Sequence, residues 1–78
     1  MKELLSYIVS NLVTQKEQVS ITENKNNGIT SFTITVAPDE VGKIIGKGGK
    51  IIKAIRTVMR MVGAAINQKI YIEINSPK

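Results

Sequence analysis

Three glycines and a lysine stand together at Gly46-Lys47-Gly48-Gly49, with Lys43 ahead of them and Lys50 directly behind. Glycine permits φ > 0 and lets another molecule come close to the main chain. A helix that starts just past such a turn directs free N–H groups and the positive end of its dipole at whatever lies there. This is chemistry for holding a phosphate. The expected contacts are the Gly46–Gly49 amides and the helix N-terminus behind them, with Lys47 and Lys50 adding charge. The net charge is +5, and its placement matters more than its size. Between Val41 and Asn67 lie Lys43, Lys47, Lys50, Lys53, Arg56 and Arg60, with no acid among them. A one-signed segment of this kind suits a polyanion. On charge alone, a solvated basic helix face explains it equally well.

Two nucleotide motifs fail on spacing. A P-loop has four residues between its glycines, followed by Lys and Ser or Thr. Gly42 and Gly46 are separated by three residues, and Lys47 is followed by Gly48. A dinucleotide fingerprint beginning at Gly46 needs a glycine where Ile51 stands. A plain helix–turn–helix corner needs one capping glycine, and each further glycine costs about 0.5–1 kcal/mol. Catalysis has little to work with. The chain has no cysteine and no histidine, so thiol and imidazole chemistry and cysteine–histidine zinc sites are excluded. Asp39 and Glu40 are the only adjacent acids. Their expected role is to complement the dipole of the helix they begin. Neither a metal nor an organic cofactor is expected, nor a small-molecule substrate.

The remaining chain must position the turn. Leu4, Leu5, Ile8, Val9, Leu12 and Val13 form one apolar stripe, predicting an amphipathic helix over 1–14. Tyr7 falls at its edge, with a hydrated hydroxyl. Val19–Glu23 alternates and predicts a half-buried strand. Asn24-Lys25-Asn26-Asn27-Gly28 reads as a turn, with Asn27-Gly28 suited to a primed hairpin. Phe32, Ile34 and Val36 alternate with polar residues in a second, antiparallel strand. Pro38 ends that strand and opens a short helix carrying Val41, Ile44 and Ile45, which Gly46 terminates. A long helix then runs from Gly49 or Lys50 to Ala64 or Ala65, with a core seam of Ile51, Ile55, Val58 and Val62. Ile70, Ile72 and Ile74 mark a third strand. It lies parallel to the second if the two are neighbours, since the connection passes through two helices. The fold class is α+β, in the order α-β-β-α-turn-α-β: a three-stranded mixed sheet with three helices packed on one face. A single domain over 1–78 with a frayed tail at 75–78 is expected. No signal-peptide pattern and no membrane-length apolar run is visible, so a soluble, cytoplasmic chain is expected.

The run Ile44-Ile45-Gly46-Lys47-Gly48-Gly49-Lys50-Ile51-Ile52-Lys53-Ala54-Ile55 resembles the signature of the K-homology (KH) RNA-binding domain. In that family a Gly-x-x-Gly loop joins two helices and clamps the nucleic-acid backbone. The element order resembles the type II arrangement. The opening Met1-Lys2-Glu3-Leu4, the Val36-Ala37-Pro38 stretch and Arg56-Thr57-Val58 are similar to the small stand-alone bacterial KH proteins of the KhpA (YlqC) family. That resemblance implies a single-stranded RNA binder acting as an RNA chaperone or post-transcriptional regulator. It also implies pairing with itself or with a KhpB (Jag)-type KH protein, and a link to cell-envelope and cell-length control. One departure is Gly48, which leaves Lys47 as the sole charge inside the loop; Lys43 and Lys50 can compensate.

The expected backbone-binding set is therefore Gly46, Lys47, Gly48, Gly49 and Lys50. Val41, Lys43, Ile44, Ile52, Lys53 and Arg56 are expected to flank or line the groove, with Ile45 and Ile55 assigned to the core. About four nucleotides should occupy one loop. With one Phe and no Trp, aromatic stacking platforms are not expected. Affinity per domain should then be weak and salt-sensitive, and a second copy should add avidity. Met59, Met61 and Val62 extend apolar character around the long helix and mark a candidate dimer surface, although methionine equally fills core gaps. The runner-up function is a protein-interaction module with little nucleic-acid affinity. Single-stranded DNA is the other possible ligand, because a backbone grip need not sense the 2′-hydroxyl.

Overall fold

Asn27 and Gly28 take φ of 49° and 81°, the left-handed pair that a two-residue primed turn requires. They join β1 (Ser20–Asn26) to β2 (Ile29–Thr35) in an antiparallel hairpin, with Asn26 opposite Ile29 and Ser20 opposite Thr35. The turn is tighter than Asn24–Gly28, because Asn24, Lys25 and Asn26 continue the strand. β3 (Lys69–Asn75) pairs parallel with β2, with Phe32 opposite Ile72, so the sheet order is β1-β2-β3. The computed structural model describes residues 1–75, and the fraying expected of Ser76-Pro77-Lys78 lies outside the described residues. Asn75, assigned to that tail from sequence, closes β3.

Alternation along β2 sends Phe32 and Ile34 to one face, continued by Val36, and all three are buried. Ile70 and Ile72 join them from β3. α1 (Lys2–Ser10), α2 (Val41–Ile45) and α3 (Lys50–Ala65) carry the rest of the core: Leu5 and Val9, Ile44, and Ile52, Ile55 and Met59. The α+β architecture and its mixed three-stranded sheet match the expectation from sequence.

Two elements depart from it. The first helix ends at Ser10, not near Thr14. The Asn11 side-chain amide donates to the Tyr7 carbonyl at 2.7 Å, and the Leu12 N–H tightens onto Val9 at 2.9 Å. Asparagine competes for backbone groups in this way and ends helices. Val13 then turns into the core, and Glu40 captures the next two amides. The Thr14 and Gln15 N–H groups donate to its two carboxylate oxygens at 2.8 and 3.1 Å, the Thr14 hydroxyl donates as well, and Lys43 Nζ sits 3.2 Å away. Glu40 is thus buried as a clamp between the end of α1 and the start of α2, rather than placed in solvent to face a helix dipole.

The Thr14 hydroxyl and amide hold the Glu40 carboxyl at about 2, below its ordinary 4.5, against the upward pull of burial. A folded value below the unfolded one adds stability above pH 4.5, and that contribution drains away as pH falls towards 2. Glu40→Gln should therefore be less stable than the parent at pH 7, and the gap should close on acidification. Urea melts across this range check it; a gap that stays constant with pH would remove the clamp's charge from the account.

The second departure is the rotation of α3. Its buried residues are Ile52, Ile55, Met59 and Gly63, so of the expected seam Ile55 alone is fully buried and Ile51, Val58 and Val62 are not. Gly63 explains the change. A Cβ there would lie 2.7 Å from the Gln68 carbonyl oxygen and run into Ile70. Only glycine allows α3 to approach the start of β3 so closely, and turning Gly63 inward carries Met59 and Ile52 with it. Val58 rotates outward and is 43 % exposed, while Ile51 and Val62 are left half-buried at the rim of the core.

Candidate nucleic-acid interface

α2 is only five residues long and ends at Gly46, whose N–H donates to the Gly42 carbonyl at 2.9 Å. Gly46 takes φ 76° and ψ 171°, a region essentially reserved for glycine. The chain then makes one tight turn over Lys47–Gly49 before α3 begins. Inside it, the Gly49 N–H donates to the Gly46 carbonyl at 3.1 Å, and the Lys50 N–H donates to Lys47. Three of the amides expected to face a ligand are therefore used to build the turn. Two are left over. The turn itself offers no acceptor to the N–H of Lys47 or of Gly48, the two residues that come before its first closing bond. Both residues are exposed, as is Lys50. These two donors thus form an adjacent pair at the apex, beside the Lys47 side chain.

The turn is pinned from both sides. Ile44 before it and Ile52 after it are buried in the core. That burial removes both from the expected groove wall, where a side chain must reach solvent. Ile45 shows the reverse correction: expected in the core, it is 37 % exposed. Ile44 points inward on this short helix, so its neighbour must point out. Ile55 is core, as expected, and Val41 is half-buried, packed against the core.

The cations fall into three kinds. Lys47, Lys50, Lys53 and Arg60 are exposed. Lys43 is ion-paired to Glu40, so part of its charge is already matched. Arg56 is half-buried, and its guanidinium donates to the Ile72 carbonyl of the edge strand β3 at 3.2 Å. The basic stripe therefore follows α3 from the glycine turn and bends onto the free side of the sheet. Of the candidate dimer residues, Met59 is fully buried and belongs to the core, Met61 is 69 % exposed, and Val62 is half-buried.

Sequence reasoning passed over two groups. Glu40 was read by its position at a helix start, and its partners come from 25 and 26 residues away. Tyr71 alternates with Ile70 and Ile72 in the sequence, which marks it only as an outward strand position. The structure sets it beside Arg60, Gln68 and Lys69. Strand alternation gave its direction, but nothing local gave its neighbours.

The family model for the KhpA/KhpB KH domain matches residues 2–74. The chain is 46 % identical over 74 residues to the RNA-binding protein KhpA of Chlamydia trachomatis serovar D, covering 95 % of each chain. It is 44 % identical over 78 residues to the protein of that name from Chlamydia caviae, covering all of both chains. It is 42 % identical over 74 residues to that of Oceanobacillus iheyensis, covering 95 % of this chain and 99 % of the relative. No solved structure matches it. With its residues matched almost end to end, this chain belongs to the KhpA/KhpB family of KH domains.

Proposed function

We propose that this chain binds single-stranded RNA by its sugar–phosphate backbone. The paired amides of Lys47 and Gly48, which the turn's own bonds do not use, carry the proposal, standing at an exposed apex with cations on both sides and no acid from Val41 to Asn67. A phosphate oxygen accepts from the two N–H groups, while Lys47 and Lys50 neutralise its charge. Gly46 and Gly49 shape the turn. Lys53 and Arg56 continue the track along α3, and Val41 and Ile45 offer apolar contact to the bases. The family relatives named as RNA-binding proteins support the same ligand. The experiment is titration of a short single-stranded RNA at low salt, with single-stranded DNA of the same sequence as a second arm, against the parent and Lys47→Asp/Gly48→Asp. A folded variant that binds as tightly as the parent overturns the proposal.

Weak, backbone-directed and reversible binding suits an RNA chaperone or post-transcriptional regulator. The action in the cytoplasm and the link to cell-envelope and cell-length control implied by the family resemblance belong to the same proposal. Among the described residues, no helix is long and apolar enough to cross a membrane. Association with a second copy, or with a KhpB-type protein, is assigned to the groove between α1 and α3. Ile8, Leu12, Ile51, Ala54 and Val58 line it, and Met61 follows Val58 by three residues on the same helix face. This stripe replaces the surface expected around Met59. Sedimentation of the pure protein tests self-association: a species heavier than the 8.5 kDa chain supports it, and 8.5 kDa alone at high concentration removes it.

A further inference from the structure

β3 turns Tyr71 to the outer face of the sheet, where it is 57 % exposed. It lines a shallow cleft of about 330 Å³ with Arg60, Ala64, Gln68, Lys69 and Ile70. That volume lies at the lower end of small-ligand sites, roughly 300–1,000 Å³. Its lining is largely apolar, and the few polar groups in it suit an anion. Arg60 and Lys69 are exposed cations, and no acid lines the cleft. The Gln68 side-chain oxygen accepts from Thr30 at 2.9 Å, which leaves its amide nitrogen as a donor without a partner among the described residues. An aromatic face beside two cations and an amide donor can stack a base and hold the phosphates next to it.

The cleft also lies in line with the glycine turn. The turn precedes the first residue of α3, and Ala64 is next to its last. At 1.5 Å per residue the two sites are about 22 Å apart. Lys53, Arg56 and Arg60 recur at i, i+3 and i+7 between them. A stacked strand rises about 3.4 Å per nucleotide, so four nucleotides cover about 14 Å and stop short, while about ten reach past the cleft. We propose that the cleft is a second contact for the same strand: Tyr71 stacks an unpaired base and Arg60 and Lys69 take its flanking phosphates. This rests on the RNA-binding proposal above, and extends the footprint beyond the four nucleotides held at the turn.

The experiment titrates oligouridylates of about four and about ten nucleotides. The parent should bind the longer one more tightly. Tyr71→Ala should weaken the longer one about tenfold and leave the shorter one unchanged, and Tyr71→Phe should keep the parent's affinity. The chain has two tyrosines and no tryptophan, so Tyr7→Phe leaves Tyr71 as the sole fluorophore of its class. Its emission should be quenched by the longer oligonucleotide and not by the shorter. If the parent binds both lengths and Tyr71→Ala matches it on both, or loses both equally, the cleft assignment is overturned while the turn stands. If the parent binds neither length, both proposals fall together.

Discussion

Lys47→Asp/Gly48→Asp should bind a short single-stranded RNA about 100-fold more weakly than the parent at low salt. Hydrogen bonds to a charged group contribute about 1.5–3 kcal/mol each. The variant removes the Lys47 ammonium and sets two carboxylates beside the amides that must receive a phosphate. A loss of roughly 3 kcal/mol is about two decades in the dissociation constant. The fold should survive. Both positions are exposed, a Cβ at Gly48 meets nothing within 4 Å, and aspartate tolerates the left-handed conformation that Gly48 adopts at φ 65° and ψ 16°. Thermal melting read alongside the titration separates lost binding from lost folding. Salt gives a further check: log K for the parent should fall with log salt by about 0.7 for each phosphate neutralised, and the variant's slope should be shallower.

The elements that sequence disclosed are those governed by local rules. The alternation of Phe32, Ile34 and Val36, the Asn27-Gly28 turn and the glycine stop of α2 depend on neighbours close in the chain, and each appears where periodicity put it. What stayed hidden depends on partners far away. The face of α3 could not be fixed from its own residues, because Ile51, Ile52, Val58 and Met59 are all apolar enough to be buried. The choice rests with Gly63 and its contact with Gln68 and Ile70. The end of α1 was misplaced because the apolar stripe runs on through Leu12 and Val13, whereas Asn11 stops the helix and Glu40, distant in sequence, takes the Thr14 amide. At the site, the identity of the turn was legible down to its residues. The division of labour inside it was not. Gly46, Gly49 and Lys50 spend their amides on closing the turn while Lys47 and Gly48 do not, and no residue type announces that.

This division sets apart two glycines that look alike in the sequence. Gly46→Ala should destabilise the fold by about 2–6 kcal/mol, and Gly48→Ala by only about 1–2. At Gly46 the backbone sits at φ 76° and ψ 171°, where a non-glycine residue carries about 1–3 kcal/mol of strain. An added Cβ would also lie 2.6 Å from Ile51 Cγ1 and 2.9 Å from Ile51 Cβ. Ile51 belongs to the first turn of α3 and cannot withdraw without tilting the helix, so overpacking adds about 1–3 kcal/mol. A domain of this length holds roughly 4–12 kcal/mol in total, so the change approaches the limit of folding. At Gly48 the conformation is left-handed and the space is open, which leaves only the 1–2 kcal/mol that a Cβ costs there. Chemical denaturation of both variants measures the contrast. Equal losses would mean that the turn does not hold these angles in solution. The Lys47 and Gly48 amides would then lose the geometry that turns them towards a phosphate, because it is the close approach of Gly46 to Ile51 that fixes where the apex of the turn stands.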